Sequence, residues 1–121
     1  SGFLAEGTVI SGDIRFPDIL RVDGKVTGKI TSERELVVGD SGEVEADIDV
    51  GMLSVNGRVS GTIRVRERMT IHPRGQVRGE LILDKPGLII EEGGLFEGTI
   101  EMSGERKREL KEVKATSMGE A

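Results

Sequence analysis

Val59-Ser60-Gly61-Thr62-Ile63 decides the reading of this chain, because it is one of six near-copies of a single pattern. The others are Ile10-Ser11-Gly12-Asp13-Ile14, Val26-Thr27-Gly28-Lys29-Ile30, Val44-Glu45-Ala46-Asp47-Ile48, Val77-Arg78-Gly79-Glu80-Leu81 and Phe96-Glu97-Gly98-Thr99-Ile100. Both flanking positions are apolar in every copy, both intervening positions are polar, and the centre is Gly or, once, Ala. Alternation with period two is the mark of a strand with one buried face. Strict alternation also puts the central residue on that face. A small residue repeated there predicts a narrow core in which the opposite wall fills the space left by the missing side chain.

Working outward, a second apolar pair precedes each later copy: Leu20 and Val22, Leu36 and Val38, Leu53 and Val55, Met69 and Ile71, Leu88 and Ile90. Asp23-Gly24 and Asn56-Gly57, hairpin signals in isolation, recur inside the repeat and read as corners. Past each copy a third short strand turns Phe16, Val50, Val65, Leu83 and Met102 inward, and Ser32 breaks that column. The central residue advances through positions 12, 28, 46, 61, 79 and 98. Such spacing is too short for a four-stranded propeller blade and fits one coil of a β-solenoid.

The expected fold is therefore all-β: a single-stranded right-handed parallel β-helix of about six coils, with three short strands per coil. At ~4.8 Å per coil the rod is roughly 29 Å long. Left-handed hexapeptide solenoids step strictly by six; Ile14, Leu20 and Val26 obey that step, but Ile30 and the later coils do not. Variable coil length favours the right-handed form. A twisted sandwich is the alternative, and it gives no reason for one small column.

Composition agrees and excludes much. Among 121 residues there are 18 Gly, three Phe, one His and no Cys, Trp or Tyr, with a net charge of −5. Val and Ile make up 23 of the 43 apolar residues, a strand-forming bias. Disulfide frameworks and thiol or zinc chemistry lack their residues. A carbohydrate platform lacks its Tyr and Trp, and three Phe with net negative charge argue against nucleic-acid binding. No apolar run is long enough to span a membrane and no secretory signal is read. Ser1-Gly2 in place of an initiator Met reads as a cleavage scar, with a natural N-terminal segment missing ahead of it.

The ends of the repeat carry the functional expectation. Just before the first inward residue of each copy stand Lys25, Glu43, Arg58 and Gln76 in the middle coils, but Val9 in the first and Leu95 in the last. The last coil also has Phe96 where the others have Ile or Val. A solenoid end exposes unpaired strand edges, which most solenoids cover with a polar coil or a helix. Apolar residues there predict partners at the ends. Residues 1–7 lead into the first coil, 3–102 form the solenoid, and 103–121 read as a charged, mostly disordered tail. Helix propensity over Glu105 to Lys114 is offset by only two apolar residues, Leu110 and Val113.

The six copies, with the opening Gly7-Thr8-Val9-Ile10-Ser11-Gly12-Asp13-Ile14, resemble the bactofilins, a bacterial polymer-forming cytoskeletal family, over residues 3–102. The resemblance implies a right-handed β-helix that polymerises end to end without nucleotide. It implies filaments lacking overall polarity, in which like ends meet, and scaffold roles in cell shape, envelope growth and protein positioning. Some members attach to the membrane through a short apolar N-terminal segment, to which only Phe3-Leu4 can belong here.

Chemistry is sparse. Gly24-Lys25 and Gly28-Lys29 are followed by Val26 and Ile30, so no Walker loop is present. Glu91-Glu92 and Asp47/Asp49 lack calcium-loop spacing. His72, in a Pro-Arg-Gly corner, is the one imidazole, and a left-handed-type solenoid acyltransferase would use it as base. The favoured reading is not an enzyme and needs no cofactor or metal. It is a homopolymer subunit whose self-assembly surface comprises Phe3, Leu4, Val9, Ile10, Leu88, Ile90, Leu95, Phe96 and Ile100. Its expected place is cytoplasmic, at the inner face of the membrane where an N-terminal segment provides attachment. Phe96→Asp is expected to leave folded monomers or short dimers.

Overall fold

The computed structural model describes residues 2–103 and the backbone of residues 111–116. Among the described residues there are eleven strands and no helix. β1 (Gly2–Leu4), β3 (Ile19–Val22), β5 (Glu35–Val38), the later parts of β6 (Glu43–Val55) and β7 (Arg58–Ile71), and β9 (Leu88–Ile90) stack as one parallel ladder. β2 (Val9–Phe16), β4 (Lys25–Ser32), the earlier parts of β6 and β7, β8 (Gln76–Leu83) and β10 (Leu95–Met102) stack as the other. The second ladder has six rungs, one per copy of the repeat, and the chain is a parallel β-solenoid. β6 and β7 run on through the corner into the first ladder, with a register shift between Val50 and Met52.

The expected inward columns form the core. Leu20, Val22, Leu36, Val38, Leu53, Val55, Met69 and Ile71 are buried from one wall, and Val26, Ile30, Val44, Ile48, Val59, Ile63, Val77 and Leu81 from the other. Val50, Val65 and Leu83 close the third side. Each of these side chains lies over its counterpart one coil away, so the core is a stack of aliphatic layers whose burial is the main favourable term.

The glycine column does not do what strict alternation suggests. Gly12, Gly28 and Gly61 are exposed, and Gly12, Gly28, Gly61, Gly79 and Gly98 have φ of 142°, 119°, 127°, 130° and 146°. Such φ, held within a strand between two inward-facing residues, is a backbone conformation that L side chains rarely adopt. The space is closed along the rod axis rather than across the core. A Cβ on Gly28 would fall on the carbonyl oxygen of Gly12, one on Gly79 on that of Gly61, and one on Gly98 on that of Gly79. Gly12 has no coil beneath it and meets nothing within 4 Å. Ala46, the one non-glycine of the column, is buried, and the β6–β7 ladder skips the pairs at Ala46 and Asp47.

A second small column went unnoticed in the sequence. Gly24, Gly42, Gly57, Gly75 and Gly94 are buried at successive corners, each one residue ahead of the second wall. Through this corner Lys25, Glu43, Arg58, Gln76 and Leu95 donate their amides to the carbonyls of Thr8, Gly24, Gly42, Gly57 and Gly75 at 2.8, 2.9, 3.0, 2.8 and 3.0 Å. The ladder therefore continues where the chain turns. Ser32, the break in the third column, is fully buried with its hydroxyl satisfied: it donates to the carbonyl of Asp18 at 2.8 Å. Arg66 reaches back to the Ser32 carbonyl at 2.9 Å and to Asp49 at 2.6 Å, tying three coils together.

The tail differs from the expectation of disorder over six residues. Lys111–Thr116 forms β11, antiparallel to β10 from Leu95↔Thr116 to Ile100↔Lys111. The expectation weighed helix propensity against a thin apolar stripe, whereas the unpaired edge of β10 offers a template for an added strand. Residues 104–110 and 117–121, also part of that expected tail, lie outside the described residues.

Gly79→Ala is expected to destabilise the fold more than Gly12→Ala, as read by the urea unfolding midpoint. Both incur backbone strain on the order of 1–3 kcal/mol, but only Gly79 adds a collision with the coil beneath.

Candidate functional site

The ends are distinguished by two outward columns that change character there. Along the first wall the outward register runs Phe3, Arg21, Val37, Ser54, Thr70, Ile89. Along the second it runs Val9, Lys25, Glu43, Arg58, Gln76, Leu95. Both are apolar in the first and last coils and mostly polar between. The neighbouring column Ser11, Thr27, Glu45, Ser60, Arg78, Glu97 stays polar throughout. Among the described residues the exposed large hydrophobic side chains are Phe3 (61%), Val9 (73%) and Ile89 (46%), and all three belong to a terminal coil.

Backbone edges coincide with these side chains. Among the described residues β1 pairs only with β3, and β2 only with β4. The amides of Lys25, Glu43, Arg58, Gln76 and Leu95 all point to the coil beneath. Val9 holds the same place in the first coil, so its amide points out of the rod. The N-terminal end thus offers an eight-residue strand edge beside two exposed apolar side chains. The C-terminal end is divided: β9 has one neighbour, while β10 lies between β8 and β11.

The structure places the expected residues unevenly. Leu4 is half-buried and packs on the core, Ile10 is half-buried, and Phe3 and Val9 are exposed. Leu88, Ile90 and Ile100 are partly buried against the last core layer, and Leu95 is half-buried on the outer side. Phe96 is fully buried. Its ring is a core element of the last coil, so Phe96→Asp probes folding as well as assembly. Ile89 was missed; the signal was available in the residue between each inward pair of the first wall, but Val37 in mid-rod blurs it.

Several of the remaining polar groups pair with one another. His72 sits at a corner with Nδ1 3.0 Å from Glu91 Oε1 on the next coil. A shallow mid-rod groove is lined by Glu43, Glu45, Arg58, Ser60, Gln76 and Arg78, away from His72. Arg58 lies 3.7 Å from Glu43, Arg78 3.3 Å from Glu97, and Arg64 3.2 Å from Asp84. Asp23 accepts from Arg21 at 2.9 Å, and this hydrogen bond, with the carboxylate's charge, makes the guanidinium still harder to deprotonate. Such exposed pairs contribute little stability each; here they oppose unlike charges on adjacent rungs. Among the described residues no group of three or more His, Asp or Glu converges as a metal site, and no helix is long and apolar enough to cross a membrane.

Known proteins bear on this arrangement. The family model for bactofilins, described as polymer-forming cytoskeletal, matches residues 2–101. Bactofilin BacO of Myxococcus xanthus (strain DK1622) is 32% identical over 99 residues, covering 82% of this chain and 77% of that protein. Bactofilin BacP of the same organism is 34% identical over 94 residues, covering 78% of this chain and 38% of that protein. No solved structure matches. A stack of parallel coils with apolar ends, matched by this family model along most of its length, belongs to the bactofilin family of polymer-forming cytoskeletal proteins.

Proposed function

We propose that the chain is a scaffold subunit that assembles end to end through its terminal coils into filaments, without nucleotide and with like ends meeting. The observation that carries this reading is the coincidence of open strand edges with Phe3, Val9 and Ile89, the exposed large hydrophobics of the described residues. Each interior coil pairs with the coils on either side, whereas β1 and β2 at one end and β9 at the other have a single neighbour among the described residues. A second copy supplies both the missing hydrogen-bond partners and an apolar surface. Nothing in the assembly step calls for a phosphate: the free energy comes from edge pairing and burial. The filament then supports cell shape or the positioning of other proteins.

Negative-stain electron microscopy and sedimentation of the purified protein, with no nucleotide added, test this directly. Long thin filaments support the reading, and discrete non-sedimenting particles at all concentrations overturn it. Val9→Lys is expected to keep the fold within about 0.5 kcal/mol, as exposed positions do, while shortening or abolishing the filaments. A lysine on an open edge is a common natural block to pairing.

Phe96→Asp is expected to lower thermal stability sharply. Deleting a buried ring costs about 3–5 kcal/mol, and burying a carboxylate adds to that. Phe96→Leu keeps an apolar group in the last layer and is expected to lose much less. Circular dichroism of both variants below the assembly threshold checks the order.

A further inference from the structure

The two ends are not equivalent, and the difference is one strand. At the N-terminal end β2 is open along Val9–Phe16. At the C-terminal end the corresponding strand, β10, has its outer edge covered from Leu95 to Ile100 by β11 of the same chain. We propose that β11 is a displaceable cap that holds the C-terminal end closed to a second copy, so that the N-terminal ends join first and filament growth waits on release of β11. The proposal rests on the end-to-end reading above and adds its regulation.

Strand polarity is the main argument. Every coil-to-coil pairing in the rod is parallel, yet β11 is antiparallel to β10. When two identical ends meet about a two-fold axis that is perpendicular to the rod and passes through an edge strand, that strand faces its own copy running the other way. β11 therefore presents to β10 the direction that β10 of a second copy would present. It occupies the partner's place in the partner's orientation.

Hydrogen bonding gives the same answer. Leu95 donates its amide to Gly75 in the coil beneath. Alternation along the strand turns the amide of Phe96 to the opposite edge, where Ala115 is its register partner. The groups that a second copy would need are the ones β11 faces. A tethered strand acts at an effective concentration on the order of mM, so a micromolar partner of equal pairing strength is outcompeted roughly a thousandfold. The cap lies over β10 alone: among the described residues β9, with Leu88 and Ile90, has no neighbour on its outer side. A second copy can engage these first and then displace the strand.

The test uses the full chain with Val113→Pro and Ala115→Pro together. Proline has no amide hydrogen to contribute to the ladder, and both positions lie outside the solenoid coils. The readout is the critical concentration for pelletable filaments, with circular dichroism to verify the fold. The variant is expected to polymerise at a concentration lower by about tenfold or more, within the range the tether allows. A synthetic peptide of residues 111–116, added in excess, is expected to raise that concentration again. An unchanged critical concentration with normal filaments overturns the cap and leaves the end-to-end reading intact. A raised one overturns it differently, by making β11 part of the junction. Failure of both proteins to form filaments, at any concentration and with native circular dichroism, overturns the end-to-end reading itself and the cap with it.

Discussion

Everything in this molecule depends on the backbone ladder between successive coils. A parallel ladder demands that each rung place the same atoms over those beneath at one strand spacing. The corner amides of Lys25, Glu43, Arg58, Gln76 and Leu95 carry that demand through the turn, where most folds let the ladder lapse. Two columns of glycine follow from it. One permits a positive φ and lets the carbonyl of the coil beneath come close, and the other removes side chains from a corner too crowded to hold them. The aliphatic layers stabilise the stack, but the ladder decides where each layer lies.

The same constraint explains which features were legible in the sequence. The inward columns were legible because Val26 and Ile30, or Val59 and Ile63, face the core in every copy, and burial imposes period two on the letters. The face of the central glycine was not legible. Alternation presumes ordinary β dihedrals, and at Gly28 or Gly79 the positive φ breaks that presumption while leaving both flanking residues inward. Phe96 was read as a ring presented to a partner, and its burial depends on the last layer closing around it. The strand at Lys111–Thr116 was beyond reach for a related reason. Nothing in those six letters is strand-like enough to outweigh their charge; the edge of β10 makes them a strand.

Under the proposed end-to-end assembly, the sides of the rod and its ends have different tasks. Mid-rod rows set Arg58 against Glu43 and Arg78 against Glu97, and exposed pairs of this kind contribute little energy but leave no continuous apolar strip along the side. Apolar residues appear on the outward columns chiefly at Phe3, Val9, Ile89 and Leu95. Contact through the sides would be wet and weak, whereas contact through an end completes a structure that already exists. The proposed division between inert flank and adhesive end rests on two columns of six residues each.

Because a coil pairs its backbone only with the coils above and below it, subunit length is independent of the chemistry of the ends. Duplicating residues 58–75, one full coil, would add a layer, lengthen the rod by ~4.8 Å, and leave the terminal coils untouched. The subunit is in this sense a ruler whose graduations are coils. The interval between successive junctions along a polymer, and with it the spacing of anything bound once per subunit, can then drift in whole rungs over evolution without any change in how the subunits join.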